Sequence, residues 1–425
     1  MLRQHRLPAP RPLPLHMAVL TLTWMVSRAA LPLSSAVSPS WRPDLREAAA
    51  NLQQNLQNLG ASPEAFARAV EAEAFRRLEA FAAGAVAFNH ARPHRPAEPS
   101  VAWAEGTTRL LDYGRGGGGI PLLVVPSLVN RAYVLDLTGR RSLMRWLARR
   151  GFRPFLVDWG APGEAERAFT LTDYIAGRLD RALDAVLAAT GRPVGLVGYC
   201  MGGMLALPLA QRRPAAVAAF AALATPWDFH AVDAGRRRVL QALAPGVRRV
   251  VEDQGLMPVD VLQAMFASLD PYQTPRKFQA FAGWDKRSAR AKAFVAVETW
   301  LNDGVPLAGP VAVEALLGWY LDNTPARGEW LVAGRPVRPA EVRCPSLVVV
   351  PGRDIIVPPD SALALAKALP GADCRVLDGG HVGMVVGSRA IEELYRPLAS
   401  WLRHAAAASP VPGKGFAVRN NIRIV

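Results

Sequence analysis

The stretch Gly198-Tyr199-Cys200-Met201-Gly202-Gly203 constrains this chain more than any other. A short apolar run, Val194 to Val197, leads into it, and a helix-forming run, Met204 to Arg212, follows. Strand, glycine-flanked thiol and helix is the layout of a nucleophile turn, with Cys where the G-x-S-x-G pattern has Ser. The glycines have a physical reason. The turn strains the backbone of its nucleophile, and strand and helix pass too close for side chains at Gly198 and Gly202. The helix N-terminus behind the sulfur favours a thiolate. In isolation the same residues also suit a buried structural cysteine in a glycine-rich turn, so the decision rests on the remaining sequence.

Such a turn requires an acid after a later strand and a histidine after the last one. Val348-Val349-Val350-Pro351-Gly352-Arg353-Asp354 places Asp354 just past a strand end. Gly379-Gly380-His381-Val382-Gly383-Met384 places His381 on a glycine-flexible loop past the final strand. Of the seven histidines only His381 has such a position. His5, His16, His90 and His94 precede the sheet, His230 borders a helical insertion, and His404 follows the last helix. Asp360 reads as a helix N-cap, and Asp378 is too close in sequence to His381 to orient it. The expectation is a triad in which His381 takes the Cys200 proton and Asp354 holds the imidazole. The oxyanion hole is expected from the Met201 N–H and one N–H of the loop after Val125, Val129 first and Leu128 as the alternative. Cys344 and Cys374 flank core strands and read as buried thiols.

At 425 residues, 51% of them apolar, the chain can hold one large α/β domain with additions, or two domains. Three cysteines exclude a disulfide framework, and their odd number suits reduced thiols and a cytoplasmic setting. The net charge of +15, almost all from arginine, would attract CoA phosphates, an acidic partner or an anionic surface. An arginine-rich solvated surface is the preferred reading, and no motif supports nucleic-acid binding. No cofactor or metal is expected. Met17 to Val26 follows Arg3, His5, Arg6 and Arg11 in the manner of a secretion signal, but Ser27-Arg28 ends it early. It is too short to span a bilayer, so a peripheral helix is expected and no transmembrane segment.

Residues 1–100 read as helical: Leu45, Leu52, Leu56 and Leu59 recur at near-helical spacing. Ser62-Pro63 then reads as a cap opening a second helix with Phe66, Val70, Ala74, Leu78 and Phe81 on one face. These faces are expected to be core faces. Strands and helices alternate over 101–228, beginning with an edge strand at Thr107 to Tyr113 and a flexible turn at Gly116 to Gly119. A helical cap rich in Trp and Phe is expected at 229–335, a second part of the core at 336–405, and a basic tail at 406–425. The fold class is α/β with a mostly parallel central sheet.

Several blocks together resemble one family. They are Pro121 to Val125 leading into Leu128-Val129-Asn130-Arg131-Ala132-Tyr133-Val134-Leu135-Asp136-Leu137, Val157-Asp158-Trp159-Gly160, Leu171-Thr172-Asp173-Tyr174-Ile175, the cysteine box at 198–203, and Gly380 to Met384. In this order they resemble the catalytic subunit of a polyhydroxyalkanoate synthase of the α/β-hydrolase superfamily, over roughly residues 100 to 405. The likeness is greatest to the shorter class that works with a second subunit. It implies an α/β-hydrolase fold and a match of Cys200, Asp354 and His381 to the family's triad. It also implies a hydroxyacyl-CoA substrate, release of CoA and a polyester product. The partners it implies are a second synthase subunit or a second copy, and the polyester granule surface. A hydrolase of the same fold, either an intracellular polyhydroxyalkanoate depolymerase or an acyl thioesterase, is the alternative. A granule-associated scaffold with an unused triad is the remaining reading.

Overall fold

The computed structural model describes residues 9–30, 43–114, 118–231 and 234–408. Twelve strands occur in chain order among them: β1 (Ser100–Glu105), β2 (Thr108–Asp112), β3 (Ile120–Val125), β4 (Phe152–Asp158), β5 (Val194–Tyr199), β6 (Val217–Leu223), β7 (Leu256–Met257), β8 (Leu307–Ala308), β9 (Leu331–Val332), β10 (Arg335–Pro336), β11 (Ser346–Pro351) and β12 (Asp373–Leu377). Eight of them form one sheet in the order β1-β2-β4-β3-β5-β6-β11-β12. β7 pairs with β8 and β9 with β10 as short antiparallel pairs outside it. From β4 to β12 every neighbouring pair in the sheet is parallel. β1 and β2 join antiparallel at one edge.

Burial follows from place in the sheet. β5 and β11, each paired on both sides, are buried along their whole length, as continuous apolar runs must be when helices cover both faces. β12, at one edge, alternates exposed and half-buried residues until Leu377. The sheet has one more strand than the sequence suggests. The strand expected at 107–113 is β2, and β1 lies outside it, with Glu105 opposite Thr108 across the Gly106 turn. β1 is mostly exposed, so its residues show little of the alternation that marks a half-buried strand. The helices Leu143–Ala148, Asp180–Thr190, Pro359–Ala368 and Arg396–Ala408 pack against β4, β3, β11 and β6 respectively. Two helical segments open on wider π turns, Asp173–Leu179 leading into Asp180–Thr190 and Ile391–Tyr395 leading into Arg396–Ala408.

The chain divides into two compact units. One is 94–262 with 299–425 and holds the sheet. The other is 1–93 with 263–298. The segment expected as one helical cap, 229–335, is thus divided, because 263–298 belongs with the N-terminal helices. In that unit the helices Pro63–His90 and Gln273–Ala282 meet around Phe81, Phe88, Phe278 and Phe281. Ser62 Oγ accepts from the Ala65 N–H and Pro63 begins the helix, the cap chemistry expected there. The helix Pro43–Asn58 differs from expectation: Leu45 and Leu52 are exposed and Leu56 half-buried, so its leucine stripe is not a core face. The helix Leu13–Ala30 contains Met17 to Val26, and no described helix is long and apolar enough to cross a membrane. Gly116 and Gly117 of the glycine turn, and the basic tail beyond Ala408, lie outside the described residues.

Candidate active site

β5 ends at Tyr199 and the helix Met201–Arg212 starts at Met201, so Cys200 alone makes the turn. Its backbone sits at φ 57° and ψ −130°, a region side chains avoid. Such strain costs about 1–3 kcal/mol and persists only where the surroundings enforce it. Here the Cys200 N–H donates to the Leu223 carbonyl of β6 at 2.8 Å, and the Gly203 N–H donates to the Cys200 carbonyl at 3.0 Å. A Cβ on Gly198 would lie 2.3 Å from the Gly203 Cα, so strand and helix meet backbone to backbone. A Cβ on Gly202 would lie 2.0 Å from the Val125 carbonyl oxygen. The second glycine therefore makes room for the end of β3, a neighbour in the sheet that is distant in sequence.

Asp354 and His381 follow β11 and β12, and both are buried. His381 Nδ1–H donates to Asp354 Oδ2 at 2.6 Å. Asp354 Oδ1 accepts from the Ile356 and Val357 N–H groups at 2.8 and 2.9 Å, which fixes the carboxylate's orientation. The Cys200 thiol is half-buried and close enough for its charge to act on the imidazole. Burial pulls the His381 imidazole down, but the Cys200 sulfur and the Asp354 carboxylate outweigh it and push it up to about 10. A ring that holds its proton is of a kind that can stabilise an anionic sulfur beside it.

The expected oxyanion donors are placed differently from one another. Met201 is the first residue of its helix, so no intrahelical carbonyl can accept its N–H. The Val129 N–H donates to Ser127 Oγ at 3.2 Å, while the Val129 carbonyl accepts from the Val305 N–H at 3.1 Å. Val129 therefore donates within its own loop here, and Ser127 has to release that N–H before it can meet an oxyanion. Leu128, the alternative donor, is buried beside it.

The other candidates fall away. Asp378 is exposed and pairs with Arg353 at 2.9 Å and Arg389 at 3.2 Å. Asp360 lies in the first turn of its helix, where Pro358 occupies the cap. His230 Nε2 meets the Leu321 carbonyl at 2.9 Å and the exposed His404 meets the Ser400 carbonyl. Burial pushes the Cys344 thiol up to about 12 and raises that of Cys374. Among the described residues no group of three or more His, Cys, Asp or Glu could hold a metal ion.

Two tyrosines beside the site escaped the sequence reading. Tyr199, within the cysteine box, is fully enclosed and its hydroxyl donates to the His381 carbonyl at 3.1 Å. Its place in the box was the available signal. Tyr320 has none, because only the fold brings it there. Although 37% of Tyr320 is exposed, burial of its phenol end, then the Cys200 and Asp354 charges, raise it above the ordinary tyrosine range. Asn323, at φ +56°, holds this segment: it accepts from the Phe229 N–H at 3.0 Å and donates to Asp228 at 2.9 Å.

A thiol, an imidazole that holds its proton, an orienting carboxylate and backbone N–H groups at a helix start can carry out acyl transfer through a covalent intermediate. The α/β hydrolase fold family matches residues 120–388. The poly(3-hydroxyalkanoate) polymerase subunit PhaC of Allochromatium vinosum is 32% identical, the match covering 67% of this chain and 80% of that one. The subunit of the same name from Synechocystis sp. is 31% identical, covering 67% and 77%. That from Haloferax mediterranei is 29% identical, covering 71% and 63%. A thermophilic esterase from Thermogutta terrifontis superposes with a TM-score of 0.44 at 18% identity, covering 74% of this chain and 99% of that one. On the family match and the first two of these relatives, the chain belongs to the PhaC family of poly(3-hydroxyalkanoate) polymerase subunits, within the α/β-hydrolase superfamily.

Proposed function

We propose that this chain is an acyltransferase that polymerises (R)-3-hydroxyacyl-CoA into polyhydroxyalkanoate through a thioester on Cys200. The observation that carries the reading is a cysteine, in place of serine, at the strained turn beside the His381–Asp354 pair in a member of this family. The Cys200 sulfur attacks the CoA thioester carbonyl, and the oxyanion meets the Met201 N–H and a donor from the 126–129 loop. The carbon–sulfur bond to CoA breaks, and His381 passes its proton to the departing CoA thiolate. The hydroxyl of the next hydroxyacyl group then gives its proton to His381 and attacks the Cys200 acyl carbon, which forms the ester and frees the sulfur.

Cysteine suits this better than serine. An acyl group held as a thioester keeps the free energy of the CoA thioester, so transfer to a hydroxyl runs downhill. A serine ester would make the same step nearly neutral. Water is the competing acceptor, and its exclusion separates polymerase from hydrolase. The relatives' description as subunits supports work alongside a second subunit, and the polyester implies a granule surface in the cytoplasm as the place of work. The decisive experiment supplies purified protein with 3-hydroxybutyryl-CoA, follows CoA release and identifies the product. Polymer is expected, with Cys200→Ser forming none. Free hydroxy acid as the main product would favour the depolymerase or thioesterase reading.

A further inference from the structure

We propose that Tyr199 is the positioning residue for His381: its phenol ties the backbone of the histidine loop to the residue next to the nucleophile. The inference rests on the reading of Cys200 and His381 as the reacting pair. His381 follows Gly379 and Gly380 in a short loop before the helix Gly383–Val386, and those glycines offer no side-chain packing to hold it. The neighbouring backbone bonds pass it by. The Met384 N–H donates to the Gly380 carbonyl, and the Val385 and Val386 N–H groups donate to the Val382 carbonyl. The His381 carbonyl instead accepts from the Tyr199 hydroxyl at 3.1 Å. Its donor comes from 182 residues away in the chain.

The contact is doubled. The Tyr199 ring lies 5.3 Å from the His381 ring, centroid to centroid, tilted by 35°. Tyr199 is itself immobile: it ends a fully buried strand and is 2% exposed. Nucleophile and tether are thus covalent neighbours. The sulfur-to-imidazole distance is set across one peptide unit and one hydrogen bond, in addition to the longer path through β11 and Asp354. Three titratable groups couple to the His381–Cys200 pair: Asp354, Tyr199 and Tyr320. Both tyrosines are raised, chiefly by burial, and so stay neutral at working pH. Without the tether the ring moves in a buried site, where burial lowers its proton affinity and only close partners restore it.

The test reads thiol reactivity, so it needs no acyl-CoA. Iodoacetamide alkylation of Cys200 is followed against pH in the full chain, with the unfolding midpoint measured alongside. In Tyr199→Phe the rate near neutral pH is expected to fall about ten-fold. p-Aminophenylalanine at position 199 keeps the ring and a donor, and is expected to restore the wild-type profile. In turnover, kcat should fall and KM stay, as for a lost alignment rather than lost binding. An unchanged profile in a folded Tyr199→Phe protein overturns the proposal. So does failure of both variants to fold, which would make Tyr199 a packing residue only. A Tyr199-dependent profile in a protein that forms no polymer would sink the polymerase reading and leave this one standing.

Discussion

Around Cys200 the sheet-bearing unit brings backbone onto backbone through Gly198 and Gly202, and the contact places a thiol at the strand end. Around Phe278 the N-terminal unit does something similar with one glycine: a Cβ on Gly84 would lie 2.1 Å from the Phe278 carbonyl oxygen. There the approach seats rings, with Phe278 5.4 Å from both Phe88 and Phe294 and Phe281 stacked 4.5 Å from Phe294. One unit accepts local strain at φ 57° to present a thiol, while the other relaxes into an apolar core. The lesson is that close packing alone does not mark a site. Strain plus a buried titratable pair does.

Substitutions in the two regions should therefore separate chemistry from stability. Cys200→Ala should lower CoA release by about 10⁴-fold or more, while the unfolding free energy from urea titration moves by less than about 1 kcal/mol. A comparable loss of stability would mean the turn is structural after all. Gly202→Ala drives a Cβ into the β3 carbonyl and should cost roughly 4 kcal/mol or more, with activity lost in step. In the other unit Phe278→Ala should cost about 3–5 kcal/mol of stability through its cavity. Iodoacetamide should still label Cys200 in its folded protein, and loss of labelling would break the separation of roles.

A smaller effect concerns pH. The folded His381 imidazole is pushed up to about 10, while the unfolded one keeps its ordinary value near 6.5. The fold thus binds this proton more tightly than the unfolded chain does, so protonation stabilises it. The contribution is complete below about pH 6.5, shrinks as the pH rises and is gone above about pH 10. The stability gap between wild type and His381→Gln, measured by urea unfolding, should be widest near pH 6 and narrow toward pH 10. The least effect is expected at Leu52→Ser on the exposed helix Pro43–Asn58, within about 0.5 kcal/mol. A larger loss would show that the leucine stripe is covered in solution.

The readable parts of the sequence share a physical trait. β3, β5, β6 and β11 are central strands, and continuous burial leaves an unbroken apolar run that survives in one dimension. The order Cys200, Asp354, His381 is legible because each residue follows a strand end, where a parallel sheet exposes its loops on one side. β1 was not legible, because an exposed edge has no pattern to impose. The leucine spacing of Pro43–Asn58 did mark a helix, but periodicity names a face without naming what covers it. The division of 229–335 between two units was hidden for a related reason: helical composition is the same whichever neighbours a helix packs on.

The amino-acid order by itself named the candidates, since the thiol between glycines at a strand-to-helix junction is followed, in the order such a turn requires, by an acid and a histidine each just past a strand end. Only the tertiary structure decided how they are held: Ile356 and Val357 clamping Asp354, Tyr199 donating to the His381 carbonyl, Ser127 occupying the Val129 N–H, and Tyr320 brought within reach of the Cys200 and Asp354 charges. Those contacts join residues far apart in the chain or run through backbone atoms, which every residue carries, so residue types along the sequence do not record them.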